Sequence, residues 1–462
     1  MRLPLDRAVA ASNATLFDGD AAPDSLRIST DTRSIGPGDT FVALHGERFD
    51  GHDFAAQAVQ RGAALLVLDR RSSARIAGVP AMLVDRTNDA YLAFARVARE
   101  LFDGIVVAIT GSTGKTTTKT FLAQLCRAHF GDRVLAAPGN ENNEIGVSKL
   151  LLGSSNEAHD VVIAEMGARN YGDVAILVDI ARPHVGILTN VGEAHVEIMG
   201  SRERLAETKW ALFSKGASAV LNAGDEVSIA RATTLTEQPR WFAAVAKEPA
   251  PELSSSFDPL TALIGERCLL ARDRGETSKH EIQAHLPGLH NRANLAAAIA
   301  GALRVGVSLE RLIPAIPELR LPQGRYDSIA IEGGPRVIYD AYNANASGMI
   351  AALDAFAGET ASRRIAVLAS MAELGDESQS LHERVGAHAA ATVDVLLVSG
   401  DFAAALARGA RRAGLDASQV VPVRDNSHAA AWLREHATAD DVILLKGSRK
   451  YKLEEIVEEL YA

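Results

Sequence analysis

Cysteine, positive charge and long apolar runs are all scarce in this 462-residue sequence. Its two cysteines, Cys126 and Cys268, provide no disulfide framework, which favours a reducing compartment. The net charge of −10 argues against a general nucleic-acid-binding protein, although an anionic ligand could still bind in a locally basic cleft. No apolar run approaches the ~18 residues of a membrane span, and the N-terminal stretch lacks the apolar core of a signal peptide. We therefore expect a cytoplasmic globular protein with no membrane span.

Short apolar stretches alternate with helix-length amphipathic segments, which is typical of parallel sheets covered by helices. We predict an α/β fold, and at ~150 residues per domain the length suggests about three domains. The predicted domains are 1–103, a small α/β unit; 104–322, a parallel sheet; and 323–462, a Rossmann-like open sheet. The second boundary follows Pro314, Pro317 and Pro322. The interval 232–282 looks less regular than its surroundings.

The segment "ITGSTGKTTTK", residues 109–119, is a candidate phosphate-binding loop. It follows an apolar strand and opens a helical pattern, which is the context such a loop requires. The common form of the motif has a glycine where Ile109 stands, so we interpret Ile109 as the last buried residue of the strand and start the loop at Gly111. Amides from Thr113 onward can then point at phosphate beside the helix N-terminus. The alternative is an ordinary strand–turn–helix junction capped by threonine.

Three further polar residues follow predicted strands or lie on the next helix. Glu165 ends "DVVIAE", His195 follows "GILTN", and Lys209 lies in "ERLAETKWALF". A carboxylate beside a phosphate loop suits Mg²⁺, but histidine is an unusual ligand for this hard cation. From the residues alone, His195 reads as a loop histidine and Lys209 as a solvated helix lysine.

Together with the loop "GSTGKTT", the segments "GNENNEIG", "EMGARNYGDVAIL", "YDAYNANASGM" and "ILLKGSRKYKLEEIV" make the chain resemble the Mur ligases. These are ATP-dependent amide-forming enzymes of peptidoglycan synthesis, related to folylpolyglutamate synthase. The resemblance extends over nearly the whole chain. It implies a central ATPase domain between an N-terminal domain that binds uridine diphosphate and a C-terminal Rossmann-like domain that closes over the ATP.

The resemblance implies specific roles on the ATP side of the site. Catalytic roles fall to Lys115, Glu165, His195 and Lys209. Two Mg²⁺ sites would use Thr116, Glu165, His195 and a carbamylated Lys209. The ATP-binding residues would be Gly111, Ser112, Thr113, Gly114, Lys115, Thr116, Thr117, Asn291, Asn294, Arg325 and Asp340. For Asn291 the alternative is simple capping of the helix that begins in "GLHNRAN".

The resemblance also implies contacts with the substrates. The N-terminal candidates are Thr32, Arg33, Gly46, Asp50 and His52. Those near the reacting groups are Asn140, Asn142, Asn143, Tyr342 and Asn343. The dense asparagines of "GNENNEIG" could instead form only a turn.

Within the family, these segments resemble the branch that joins D-alanyl-D-alanine to UDP-N-acetylmuramoyl-tripeptide through an acyl phosphate, and this reaction is our expectation. A monomer is expected, and diaminopimelate or lysine as third residue of the tripeptide stays open. Ser148, Ala346 and the pair Ala369-Ser370 depart from the family pattern, which leaves the shape of the acceptor site less certain than the chemistry. The alternatives are a sister ligase of Mur or folylpolyglutamate type with another acceptor and, more distantly, a non-catalytic nucleotide-binding module.

Overall fold

The computed structural model describes residues 1–18, 21–46, 48–192, 199–248 and 253–461. The first region contains a five-stranded sheet and a separate two-stranded ribbon. Its strands are β1 (Leu3–Pro4), β2 (Thr15–Phe17), β3 (Ser25–Leu26), β4 (Ile28–Ser29), β5 (Thr40–Val42), β6 (Leu65–Asp69) and β7 (Ala81–Val84). Its helices are α1 (Leu5–Ser12), α2 (Ala55–Gln60) and α3 (Thr87–Leu101). The sheet has the order β2-β7-β6-β5-β4 and is parallel except for β2, while β1 pairs with β3.

A nine-stranded sheet forms the centre of the molecule. Its strands are β8 (Ile105–Thr110), β9 (Val134–Ala136), β10 (Val161–Glu165), β11 (Val185–Leu188), β12 (Ser218–Asn222), β13 (Arg240–Val245), β14 (Leu260–Ile264), β15 (Cys268–Asp273) and β16 (Glu276–Glu281). The order is β16-β15-β14-β13-β12-β11-β8-β10-β9, so β8 lies between β10 and β11. The strands from β9 to β14 are parallel, and β15 and β16 are antiparallel.

Helices cover both faces of this central sheet. They are α4 (Lys115–Phe130), α5 (Glu144–Leu152), α6 (Asp173–Ala181), α7 (Arg202–Trp210), α8 (Glu226–Arg231), α9 (Gly288–Arg304) and α10 (Leu309–Leu312). The expectation of irregular structure over 232–282 is wrong, because β13 to β16 extend the sheet there. Strand β16 has six residues that are mostly polar and exposed. An edge strand needs no apolar alternation, and this explains why the pattern was missed.

The last region is an open six-stranded sheet. Its strands are β17 (Asp327–Ala330), β18 (Arg336–Tyr339), β19 (Arg364–Ala369), β20 (Val395–Ser399), β21 (Val420–Pro422) and β22 (Val442–Lys446). Its helices are α11 (Ala346–Ala357), α12 (Ser378–Ala389), α13 (Ala403–Arg412), α14 (Asn426–His436) and α15 (Glu454–Tyr461). The order is β17-β18-β22-β19-β20-β21, parallel except for β17. The predicted Rossmann-like α/β arrangement is confirmed.

Single turns of 3-10 helix join several of these elements. They are Gly51–Phe54, Gly131–Arg133, Ala211–Phe213, Ala232–Thr234, Ile313–Glu318, Gly375–Glu377, Ala417–Gln419 and Arg449–Tyr451. No helix in the described ranges is both long and apolar enough to cross a bilayer.

One hydrophobic core joins the first region to the second. Leu3 and Phe94 of the first region belong to the same buried cluster as Val106, Leu151 and Val162 of the second. Helix α3 accordingly packs against α5 and α6. Because this surface is apolar and continuous, the first sheet is held firmly beside the central one. The predicted limits at 103 and 322 fall between the three sheets, and they stay predictions.

Ser148 illustrates an imperfect fit inside α5. Its side chain is fully buried, yet the hydroxyl has no hydrogen-bond partner. We expect Ser148→Ala to raise the free energy of unfolding by about 1 kcal/mol, because a buried hydroxyl without a partner carries a desolvation penalty. Thermal or urea unfolding measures this. The matched control is Ser228→Ala, whose equally buried hydroxyl donates to Asp225 Oδ2 at 2.6 Å and whose loss should destabilise. Equal destabilisation by both variants would contradict the prediction.

Candidate functional site

The glycine loop lies at the carboxyl end of β8, in the middle of the central sheet. Ile109 is a fully buried strand residue, as predicted, but it is not the last one, because β8 ends at Thr110, which is equally buried. Gly111 and Gly114 have φ of 149° and 81°. A side chain at Gly111 would collide with Thr189, and one at Gly114 with Asn294. Glycine is required at both positions because the backbone turns sharply against its neighbours.

Neighbouring segments fix the shape of this loop. Ser112 Oγ accepts from the Gly192 amide at 2.9 Å, and Asn190 Oδ1 accepts from the Thr113 amide at 3.2 Å. Helix α4 begins at Lys115, with Thr116 half-buried and Thr117 buried in its first turn. The positive end of this helix therefore faces the same space as the loop, an arrangement suited to phosphate.

Lys115 folds back over the loop that precedes it. Its Nζ donates to the carbonyl oxygen of Gly111 at 2.8 Å and to that of Ser112 at 3.4 Å. Burial lowers the pKa of the Lys115 ammonium, and the nearby Glu165 carboxylate partly opposes that shift. A cation held by weak carbonyl partners at the mouth of an anion-binding loop is ready to move onto a phosphate.

Glu165 ends β10, the strand beside β8, and is almost completely buried. Asn142 Nδ2 donates to its Oε1 at 2.9 Å, whereas Oε2 accepts no hydrogen bond. Lys119 Nζ lies 3.4 Å from Oε2. The sequence analysis missed Lys119, although "GKTTTK" places it one helical turn beyond Lys115, and a lysine at that spacing faces the same side of α4.

Lys209 corrects an expectation taken from the residues alone. It is 1% exposed, not solvated, because the face of α7 that carries it packs into the molecule. Within the described residues no carboxylate pairs with its ammonium. Burial, with a smaller effect from Lys115, places the pKa of Lys209 well below its usual value. Its amine is therefore more readily neutral, and hence nucleophilic, than that of an ordinary lysine.

Two of the four predicted magnesium ligands offer oxygen donors that fit a hard cation. Glu165 has a buried oxygen without a hydrogen bond, and Thr116 offers a hydroxyl beside the loop. Both are oxygen donors of the kind that Mg²⁺ prefers. Lys209 would become an oxygen donor only after carbamylation. His195, the remaining predicted ligand, lies outside the described residues.

Asn291 and Asn294 lie on α9, both buried. The alternative in which Asn291 caps the helix is wrong, because α9 begins at Gly288 and Asn291 Nδ2 donates back to the Pro287 carbonyl at 3.0 Å. Asn294 packs directly on Gly114. The Asn294 amide therefore lies next to the glycine loop.

The last region contributes two predicted site residues that contact each other, Arg325 and Tyr342. Arg325 stacks over the Tyr342 ring with its Cζ 4.6 Å from the centroid, and its buried Nε has no hydrogen-bond partner. The positive charge of Arg325 also lowers the pKa of Lys115, after burial, which is the main cause. Burial raises the pKa of Tyr342, and the charge of Glu165 adds to that shift.

Asp340 and Asn343 surround a buried lysine. Lys446 Nζ lies 3.0 Å from Asp340 Oδ2 and donates to the carbonyl oxygens of Asp340 and Asn343. Burial lowers the pKa of Lys446, and Asp340 partly opposes the shift. Asn343 accepts a hydrogen bond from the Ala344 amide through Oδ1, and the rest of this residue is exposed. The end of β18 is thus followed by a charged turn that Lys446 holds together.

The asparagines of "GNENNEIG" have different environments. Asn140 is exposed, Asn142 orients Glu165, and Asn143 caps α5 by accepting from the Gly146 amide at 2.9 Å. The segment is therefore more than a turn, because it supports a carboxylate and starts a helix. Substrate contact by the three residues stays a prediction.

The five predicted contacts of the first region cluster around β5, β6 and α2. Thr32 Oγ1 donates to Gln57 at 2.7 Å, and exposed Arg33 pairs with Asp31. Gly46 is exposed in a loop. The His52 ring is held between Asp50 Oδ1 at 2.6 Å and the Asp69 amide at 3.0 Å.

His45, Asp50 and His52 also form a group of possible metal ligands, with donor atoms within 4.8 Å of one another. Because the Asp69 N–H donates to Nε2 of His52, the ring proton is on Nδ1 and points at Asp50. Hydrogen bonds within the protein thus account for His52 without a cation.

Comparison with known proteins gives matches along most of the chain. Three family models match: "Mur ligase family, catalytic domain" over residues 27–98, "Mur ligase middle domain" over 109–302, and "Mur ligase, glutamate ligase domain" over 324–449. A Synechocystis sp. relative named UDP-N-acetylmuramoyl-tripeptide--D-alanyl-D-alanine ligase is 35% identical over 440 residues, covering 94% of this chain and 92% of its own.

Two solved structures resemble the fold over nearly its whole length. MurF from Acinetobacter baumannii superposes with a TM-score of 0.85 at 26% identity, covering 100% of this chain and 99% of that one. MurF ligase from Thermotoga maritima in complex with ADP gives 0.78 at 26% identity, covering 94% and 97%.

Proposed function

Because the chain belongs to the Mur ligase family, we propose that it joins D-alanyl-D-alanine to UDP-N-acetylmuramoyl-tripeptide in the synthesis of peptidoglycan precursors. It is an ATP-dependent ligase, so the alternative of a non-catalytic nucleotide-binding module is not retained. The observation that carries the proposal is that Lys115, Asn294 and Glu165 meet at one glycine loop.

ATP is the energy source, and the loop from Gly111 to Thr117 binds its phosphates in this proposal. Lys115 Nζ exchanges its carbonyl partners for phosphate oxygens, and Asn291 and Asn294 orient the adenine. Arg325 approaches from the last region and adds positive charge where the transferred phosphoryl group accumulates negative charge. Tyr342 holds that guanidinium by stacking beneath it.

Mg²⁺ would be held by Thr116 and Glu165, together with His195 and a carbamylated Lys209. When bound, it neutralises phosphate charge and organises the oxygens of the reacting groups. Asn142 fixes the orientation of Glu165, and burial keeps Lys209 close to the neutral form that carbon dioxide can modify. Substitution of each residue tests its role.

The reaction proceeds through an acyl phosphate. The peptide carboxylate attacks the terminal phosphorus of ATP and ADP leaves. The amine of D-alanyl-D-alanine then attacks the carbonyl carbon, loses a proton, and expels phosphate as the amide forms. Catalysis is mainly positioning and charge neutralisation, and contact between the last two regions excludes water that would hydrolyse the intermediate.

The first region would hold the uridine diphosphate end of the donor. Arg33 is exposed and supplies positive charge there, while Thr32 and Gly46 lie at the same surface. Both ring nitrogens of His52 have protein partners, and contact of Asp50 and His52 with the ligand stays a prediction. A cytoplasmic location and a monomeric state complete the proposal.

The identity of the acceptor is the part most open to test, because the departures from the family pattern lie near it. Ser370 is buried, its hydroxyl donating to the Ser399 carbonyl and accepting from the Phe402 amide, so it serves the fold of this region. Ala346 is the first residue of α11, after the capping Asn345. Neither departure removes one of the predicted catalytic groups.

With D-alanyl-D-alanine as acceptor, we expect the kcat/KM for phosphate release to be at least roughly 10²-fold higher than with a single amino acid as acceptor. A site built for a dipeptide leaves polar groups unpaired when a shorter acceptor binds. The measurement is phosphate release with UDP-N-acetylmuramoyl-tripeptide and a panel of D-dipeptides, D-alanine, L-glutamate and diaminopimelate. Omitting the donor provides the blank. A preference for glutamate or diaminopimelate would favour the sister-ligase alternative.

A further inference from the structure

Lys119 is a buried lysine with two unusual partners. Its side chain is 4% exposed, and its Nζ lies 3.4 Å from Glu165 Oε2. The same ammonium donates to the carbonyl oxygen of Gly139, the first residue of "GNENNEIG". It therefore joins α4, the end of β10 and the segment before α5 at one point.

Glu165 needs a counter-charge because its carboxylate is 1% exposed. A buried ionised group is strongly unfavourable unless it is paired. Lys115, the other cation of α4 nearby, directs its Nζ to the carbonyls of Gly111 and Ser112 instead. Among the described residues, Lys119 is the cation in ion-pair contact with Glu165.

The two oxygens of Glu165 are treated differently. Oε1 accepts a well-formed hydrogen bond from Asn142, whereas Oε2 faces Lys119 with no hydrogen bond of good geometry. The ammonium thus balances the charge of Oε2 without saturating it. An oxygen in this state can exchange one cation for another more readily than one locked by hydrogen bonds.

We propose that Lys119 is the resident counter-ion of Glu165, standing where a divalent cation binds and yielding Oε2 to that cation when it arrives. This inference rests on the proposed function, because it takes Glu165 as a metal ligand. Lys119 is a positioning residue: in the metal-free protein it supplies the counter-charge beside Oε2 of Glu165. No covalent step is involved.

The exchange also affects the substrate segment. Gly139 is bound by Lys119, and Asn142 is bound to Glu165, so both ends of residues 139–142 depend on this ion pair. When the ammonium moves away from Oε2, its remaining partner is the Gly139 carbonyl. Metal binding therefore changes the forces on a segment that the proposed function assigns to the substrate.

The test compares thermal unfolding of the full-length variants Lys119→Met, Lys119→Arg, Glu165→Gln and the double variant Lys119→Met/Glu165→Gln, in EDTA and in MgCl₂. In EDTA we expect Lys119→Met to lower Tm by roughly 5 °C or more, because Glu165 is left buried without a counter-charge. MgCl₂ should restore most of that loss while shifting the wild-type Tm much less. Lys119→Arg should behave like the wild type.

The double variant removes the charge together with its partner. Its Tm in EDTA should exceed that of Lys119→Met and should not respond to MgCl₂. The matched control is Lys149→Met, which breaks an exposed ion pair with Glu141 in the same segment and should change neither Tm nor its response. Binding of Mn²⁺ without nucleotide, followed by electron paramagnetic resonance, should be at least roughly tenfold tighter in Lys119→Met than in the wild type.

The inference is overturned if Lys119→Met is as stable as the wild type in EDTA, if MgCl₂ restores nothing, or if Glu165→Gln fails to rescue it. Should Lys119→Met not fold at all, rescue of folding by the added Glu165→Gln supports the inference and absence of rescue overturns it. These outcomes are independent of catalysis. If the wild-type enzyme ligates normally but the variants do not show the expected changes in Tm, only the role of Lys119 is overturned and the proposed function stands.

Discussion

Replacing Lys115 with alanine is expected to reduce the rate of ATP-dependent ligation by roughly 10³-fold or more, the scale on which cations that contact a transferred phosphoryl group act. The Lys115 ammonium lies over the glycine loop and is held only by the carbonyls of Gly111 and Ser112. No other cation begins α4, so its loss leaves the phosphates without their point charge. Phosphate release with both substrates present measures the effect.

The same experiment needs a stability control and a charge control. Lys115→Ala should keep the wild-type Tm, because the Lys115 ammonium makes no ion pair in the described structure. The nearby buried carboxylate, Glu165, still has Lys119 as its partner. Lys149→Ala removes an exposed lysine that pairs with Glu141 and should retain full activity. A wild-type rate for Lys115→Ala would show that the loop is not the ATP site.

Lys209→Ala should lose activity to a similar extent, roughly 10³-fold, if the lysine serves as a carbamate that supports the metal. Burial lowers the pKa of Lys209 well below its usual value, so a larger share of the amine is neutral at neutral pH and can react with carbon dioxide. A short carboxylate such as acetate or formate should restore part of the activity of Lys209→Ala by supplying the missing oxygens.

A direct observation separates the carbamate from other roles of Lys209. Wild-type protein equilibrated with ¹³C-labelled bicarbonate should give a carbamate carbon signal by NMR that is absent from Lys209→Ala. Lys215→Ala is the control, since that lysine is largely exposed and lies 3.9 Å from Asp179. Full activity of Lys209→Ala would contradict the carbamate. So would a loss of activity that no carboxylate restores, if the wild-type protein also gives no labelled carbamate signal.

Much of the site follows from local sequence. "GSTGKTT" after an apolar strand predicts the loop, and the structure places Gly111 and Gly114 in conformations that favour glycine. Strand ends at Glu165 and Asp340 were predicted from apolar periodicity alone, and parallel strands bring such ends to one edge of each sheet. Periodicity failed at β16, because a strand exposed on both faces carries no apolar alternation.

The burial of charged residues could not be predicted in this way. Lys209 was read as solvated and Lys119 was not singled out, because a lysine in a helix looks the same in sequence whether its face meets water or a carboxylate. Capping of the helix by Asn291 was one alternative from the sequence. The helix instead begins at Gly288, after Pro287, so Asn291 lies inside its first turns. The shared core of α3 with α5 and α6 joins residues far apart in the chain, which no local pattern records.

By itself, the sequence determined the α/β class, the glycine loop and, outside residues 232–282, the alternation of strands and helices, since these depend on periodicity and on residues within a few positions of one another. Tertiary structure alone decided which charged groups meet their partners: Lys119 with Glu165, Arg325 over Tyr342, and Lys446 with Asp340. Those pairs form only when separate strands and two sheets come together. Their strength depends on the exclusion of water by the packed chain, a property that no single segment has.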